Sequence, residues 1–140
     1  MSEALYQKAI IDLARAAVGH GKLAAPDASV TIDNPLCGDR VSIDLSLRDG
    51  KVVELAHRVR GCALCEASAS AIASHAIGAD ERHLAAAKDS AAAIIAGSAE
   101  DGAWPELAVF RPVREHKSRH RCVMLPFEAL LKALAEAKNR

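Results

Sequence analysis

Over residues 41–59 apolar and polar side chains alternate with a period of two, interrupted once at Asp49-Gly50. Val41, Ile43, Leu45 and Leu47 fall on one side and Ser42, Asp44, Ser46 and Arg48 on the other, the pattern of a strand with one buried face. Val53, Leu55, His57 and Val59 resume the pattern after the turn, so the segment reads as an antiparallel hairpin. The turn decides its register. A two-residue Asp49-Gly50 loop would set Val41 opposite Arg58 and send the two apolar rows to opposite faces. A three-residue Arg48-Asp49-Gly50 loop, with Gly50 left-handed, sets Leu45 against Val53 and Ile43 against Leu55. The second is therefore expected, and it carries Cys37 opposite Gly61, one residue from Cys62.

Around the hairpin the period becomes helical. Leu5, Ala9, Leu13 and Ala16 share a face over residues 5–18, with Tyr6 and Ile10 adjoining, and Gly19-His20-Gly21 ends the helix. Residues 30–33 suit a short strand. From Ala63 to about residue 77 a small-residue helix follows, with Cys62 at its N-terminus. Asp80 can cap another helix to about residue 95, stopped by Gly97. Residues 98–112, with Trp104, read as irregular. Pro126 suits the first turn of a closing helix whose apolar face is Phe127, Leu130, Leu131 and Leu134. These elements predict an α+β fold, a small antiparallel sheet of about three strands with helices packed on it, as one domain over residues 1–140.

Composition narrows the possible partners. The chain is 51% hydrophobic but only 3% aromatic, with formal charge zero, so no global balance favours a polyanion. Arg111, Arg114, His116, Lys117, Arg119, His120 and Arg121 form a basic cluster, but no aromatics interleave for base stacking, and nucleic acid is not expected. No apolar run has the length to span a bilayer and no signal-like stretch opens the chain, so a cytoplasmic protein without a membrane partner is expected. There the four cysteines should be reduced, which favours metal binding or thiol chemistry over disulfides.

Cys37, Asp39, Cys62 and Cys122 could close on one metal. Three thiolates and a carboxylate make a plausible tetrahedral shell for Zn²⁺ or for the irons of a cluster. A helix N-terminus favours thiolate, the setting expected for Cys62 and for Cys122. The blander reading, buried thiols acting as small hydrophobes, is weakened by the hairpin that joins Cys37 to Cys62; spacing says nothing about Cys122. Cys62-Ala63-Leu64-Cys65 also has the form of a redox CxxC, although hairpin strands precede it, and Cys65 is an alternative ligand. Arg119 and His120 beside Cys122 would raise local positive potential. His57 reads as a core histidine, His75 and His83 as surface residues. Ser68 and Ser70 lack a nearby base.

The segments Asn34-Pro35-Leu36-Cys37-Gly38-Asp39-Arg40, Gly61-Cys62-Ala63-Leu64-Cys65-Glu66-Ala67-Ser68-Ala69-Ser70 and Arg119-His120-Arg121-Cys122-Val123-Met124-Leu125-Pro126-Phe127 resemble the IscU/SufU/NifU N-terminal family of iron–sulfur cluster assembly proteins. The resemblance implies a three-stranded sheet with packed helices, and Cys37, Asp39, Cys62 and Cys122 as ligands of iron, a [2Fe–2S] cluster or zinc. It also implies sulfur delivery by a PLP-dependent cysteine desulfurase, with Cys37 or Cys122 as persulfide acceptor and Arg119 in support. Downstream apoproteins or cluster carriers would receive the product. In SufU-like members a zinc-bound site passes persulfide onward, which makes a zinc-dependent sulfurtransferase the alternative function. The long stretch between Cys62 and Cys122 and the placement of Arg119 look SufU-like. Three positions depart from the family pattern: Leu13-Ala14-Arg15-Ala16-Ala17 replaces its His-Tyr and Pro-Arg-Asn stretch, Arg121 replaces the histidine before the last cysteine of IscU-type scaffolds, and Cys65 is an additional thiol.

Overall fold

The structure, a computed structural model, describes residues 7–36 and 38–139. Leu5, Tyr6 and Cys37 of the sequence argument lie outside them. Three antiparallel strands, β1 (Ala28–Asn34), β2 (Asp39–Arg48) and β3 (Lys51–Arg60), form one sheet in chain order. Four α-helices accompany it: α1 (Lys8–Ala16), α2 (Ala63–Ala76), α3 (Glu81–Ala96) and α4 (His120–Lys138). Two 3-10 segments, Pro105–Glu115 and Lys117–Arg119, join α3 to α4. The expected α+β architecture is observed.

The hairpin register differs from the expectation, and the reason is local. Asp49 and Gly50 have φ of 53° and 78°, so both turn residues are left-handed and the loop has two residues, closed by Arg48 opposite Lys51. That turn alone would split the apolar rows. A bulge repairs them: Leu47 pairs with Val52, Ser46 pairs with Glu54, and Val53 is the extra residue. Beyond the bulge Leu45 faces Leu55 and Ile43 faces His57. Val52 is fully buried, whereas Val53, expected in the apolar row, is 40% exposed. Continued one step past the Arg40–Arg60 pair, this register sets Asp39 in line with Gly61; the position expected for Cys37 lies outside the described residues.

The apolar face of the sheet packs on α4, which also meets α2, and α1 lies on α2. Val41, Ile43 and Leu45 join Leu64, Ile72, Leu84, Phe110 and Phe127 in a single core. On α1 the buried residues are Ile10 and Ala14, not the expected Ala9 and Ala16, which face solvent. The polar row of β2 is covered rather than solvated. Asp44 is 1% exposed; it pairs with Arg58 at 3.0 Å, accepts the Ser29 hydroxyl at 2.6 Å and accepts the Leu23 amide at 3.1 Å. His57 is buried, and its Nε2 contacts the Val18 carbonyl at 2.6 Å. A carbonyl only accepts, so Nε2 carries the proton.

The chain after α3 is more ordered than expected. Trp104 stacks between His75, at 4.8 Å, and Phe127, at 5.9 Å, which makes His75 half-buried rather than a surface residue. Arg111 and Arg114 of the basic cluster pair with Glu100, and Arg111 also with Asp101. Helix α4 starts six residues before Pro126, which therefore sits inside it rather than in its first turn. Proline offers no N–H, so the Cys122 carbonyl one turn back loses its usual helical donor. Among the described residues no helix is long and apolar enough to cross a membrane.

Candidate metal centre

Asp39, Cys62 and Cys122 converge from three elements. Asp39 opens β2; Cys62 is the N-cap of α2, in extended conformation directly after Gly61; Cys122 lies in the first turn of α4. A carboxylate oxygen of Asp39 and the two Sγ atoms all lie within 4.8 Å of one another. Asp39 is 3% exposed and Cys122 fully buried, whereas Cys62 is half-buried. The Ser68 hydroxyl, one turn and a half along α2, donates to the Val123 carbonyl at 2.7 Å and fixes α2 against α4 beside this point.

Gly61 makes the convergence possible, a role that the strand pattern alone did not disclose. A Cβ at Gly61 would stand 2.3 Å from Asp39 Oδ1 and 2.8 Å from its Cγ. The bare backbone lets the carboxylate lie over β3, where Oδ1 accepts the Cys62 amide at 3.3 Å. Asp39 Oδ2 is buried with no hydrogen-bond partner among the described residues. A buried carboxylate oxygen left without a partner costs roughly 1–3 kcal/mol or more, and a cation beside two thiols is what would satisfy it. Substituting Gly61→Ala should displace the carboxylate and weaken metal binding about 10–100-fold, the range for lost support of a ligand. Competition titration with a chromogenic chelator reads this directly.

The two thiols are polarised in opposite directions. Cys62 is brought down to about 6, first by the Cys122 thiol acting as donor and then, against burial, by the amides of Cys65 and Leu64 at the start of α2. Of the two thiols it is the one that favours the thiolate. Cys122 is pushed up by Cys62, by burial and by Asp39. A negative charge on Cys62 disfavours a second one on Cys122 beside it. A cleft of about 340 Å³, lined by Asp33, Asn34, Asp39, Arg40 and Arg60 among others, opens beside Asp39. Leu36 at this end of the molecule is 94% exposed.

The remaining candidates separate. Cys65 is fully buried in the core and outside the three-donor group. Arg119 is half-buried at the N-cap of α4, and the imidazole of His120 turns to the Val113 carbonyl at 2.9 Å. Ser70 is buried and its Oγ accepts the Val18 amide at 3.1 Å.

Residues 5–140 match the sequence profile described as NifU-like N terminal domain. The chain belongs to this family. Two proteins named iron-sulfur cluster assembly scaffold protein IscU are similar over nearly the whole chain. The one from Streptococcus pyogenes serotype M1 is 28% identical over 138 residues, covering 96% of this chain and 86% of its own length. The one from Thermotoga maritima is 27% identical over 133 residues, covering 93% and 92%. Among solved structures, the N-terminal NifU-like protein of Brucella abortus superposes with a TM-score of 0.90 at 35% identity, covering 99% of this chain and 97% of that one. A scaffold protein for the SUF system from Fervidobacterium islandicum superposes at 0.87 with 24% identity, over 96% and 99%; it shares the fold. In this NifU-like N-terminal domain the unpaired Asp39 oxygen and two thiols form a group that fits a metal ion.

Proposed function

We propose that this protein is an iron–sulfur cluster assembly scaffold. It would hold iron or the nascent cluster on Cys37, Asp39, Cys62 and Cys122 and receive sulfur from a PLP-dependent cysteine desulfurase. The observation that carries the reading is the buried, unpartnered Asp39 Oδ2 beside two thiols. Family membership and scaffold-named relatives over nearly the whole chain support it. Thiolates are soft donors and bind iron or zinc strongly, whereas the single carboxylate is the hard donor and the one that leaves first. A scaffold must release its cargo to apoproteins or cluster carriers, and Asp39 supplies that lability.

The sulfur step needs a thiolate from this chain. Cys37 or Cys122 attacks the outer sulfur of the desulfurase persulfide, the sulfur–sulfur bond breaks, and the desulfurase thiolate leaves. Cys122 is fully buried and would act only once the centre opens. Arg119 would steady the incoming negative charge. The same donors also suit tetrahedral zinc, so a zinc-dependent sulfurtransferase is the second reading.

Anaerobic incubation with Fe²⁺, cysteine and a cysteine desulfurase separates the two. Visible charge-transfer bands with matched iron and sulfide, absent in Cys62→Ala, are the expected result. A colourless, zinc-retaining protein that still accelerates the desulfurase would overturn the scaffold reading. In the same assay Asp39→Ala is expected to hold its cluster several-fold longer during transfer to an apo-ferredoxin acceptor. Faster cluster loss in that variant would contradict the role given to Asp39.

A further inference from the structure

Helix α2 carries a second thiol that the metal centre does not use. Strand β3 ends at Arg60 and α2 begins at Ala63, so only Gly61 and Cys62 separate strand from helix. Cys62 is the N-cap of α2, with φ of −79° and ψ of 167°, and Cys65 is its third residue. Cys62 makes no side-chain capping hydrogen bond, although the third residue's amide is the group that an N-cap side chain normally reaches. Residues three apart in a helix have Cβ atoms about 5–6 Å apart, so reaching the roughly 3.5–4.5 Å of a disulfide takes a local shift of this first turn. CxxC pairs are found at reactive, lowered-pKa sites; here the pair opens a helix, but antiparallel hairpin strands precede it. Neither cysteine is in a disulfide in this structure.

We propose that Cys65 is a resolving thiol that reduces sulfane sulfur held on Cys62 to sulfide. The proposal rests on the sulfur-acceptor reading above. The sulfur reaches Cys62 directly or by exchange from Cys37 or Cys122. The Cys65 thiolate then attacks Cys62 Sγ, the bond from Sγ to the outer sulfur breaks, and hydrosulfide leaves. Two thiols become one disulfide, and their two electrons take the sulfur from the sulfane to the sulfide level. The proton of Cys65 leaves with the product. A dithiol reductant must then reopen the disulfide before another round. Burial of Cys65 is no obstacle, because its target lies on the neighbouring turn and the attack is intramolecular. Cys122 is the nearer competitor, but it belongs to the metal-fitting group whereas Cys65 does not.

The test loads the reduced, metal-free protein anaerobically with inorganic polysulfide, removes excess reagent, and follows free sulfide and peptide masses. The expected result is release of close to one sulfide per chain, with the peptide that contains both Cys62 and Cys65 lighter by two hydrogen atoms. Cys65→Ala and Cys65→Ser should instead retain the mass of an added sulfur atom and release at least tenfold less sulfide. A persistent sulfur adduct in the unsubstituted protein, a Cys62–Cys122 cross-link, or undiminished sulfide release from both variants would each overturn the proposal. Because polysulfide needs no desulfurase, these outcomes are independent of the partner. Sulfide release from polysulfide but none from desulfurase and cysteine would uphold Cys65 and remove the scaffold's sulfur source.

Discussion

Saturating zinc should raise the melting temperature of this protein by roughly 10 °C, and Cys62→Ala should abolish the gain. A ligand that binds only the folded chain, present at a thousandfold its dissociation constant, stabilises by about 4 kcal/mol. For a domain of this size each kcal/mol moves the midpoint by roughly 2–4 °C. The centre is assembled by folding, since Asp39, Cys62 and Cys122 come from β2, the start of α2 and the start of α4. Binding energy is therefore folding energy. Cys62 is the substitution to choose because it is the half-exposed thiol held down to about 6, so losing it removes the ready charge as well as a ligand. Calorimetry with zinc and with a chelator checks this; equal midpoints in both would contradict a folded-state metal centre.

Asp44→Ala should destabilise the protein by about 2–4 kcal/mol, with or without metal. Asp44 is nearly inaccessible and accepts from Arg58, Ser29 and Leu23. Removing one partner of a buried pair leaves the others uncompensated, a loss of roughly 3–5 kcal/mol when both charges are buried. Arg58 is 36% exposed and recovers some hydration, which lowers the figure. Burial works to raise the Asp44 carboxyl, but hydrogen bonds from Arg58, Ser29 and Leu23 outweigh it and hold the group below its usual 3.8. A depressed carboxyl contributes stability that is present above the unfolded value and lost as pH falls through the folded one. Denaturant melts of the metal-free protein should therefore lose this increment on acidification below about pH 4, and Asp44→Ala should lack it. Identical acid dependence in both proteins would contradict the assignment.

How much of this was legible in the sequence varies with the kind of signal. Period-two alternation found β2 and β3, and capping residues found α2 and α3 within a residue or so. The register was not legible, because a single extra residue at Val53 re-aligns every pair beyond it, and bulges leave little mark on hydrophobic patterning. The polar row of β2 looked solvated because nothing local announces that residues 21–27 will cover Asp44. Pro126 misplaced the start of α4: proline favours first turns, yet here it is tolerated inside the helix. At the centre, the hairpin argument joined Cys62 to Cys37, which lies outside the described residues; the neighbour that the structure sets against Gly61 is Asp39. Cys122 lies sixty residues away from Cys62 in sequence, and only tertiary packing of α4 on α2 and the sheet brings it in. Family resemblance supplied what spacing could not.

The most direct test of the metal centre is X-ray absorption spectroscopy at the zinc edge of the loaded protein. The account predicts three sulfur scatterers near 2.3 Å and one oxygen near 2.0–2.2 Å, distances usual for thiolate and carboxylate ligands of zinc, with the oxygen contribution changed in Asp39→Ala. A shell of four sulfurs, placing Cys65 where Asp39 belongs, or a shell without sulfur, would contradict it.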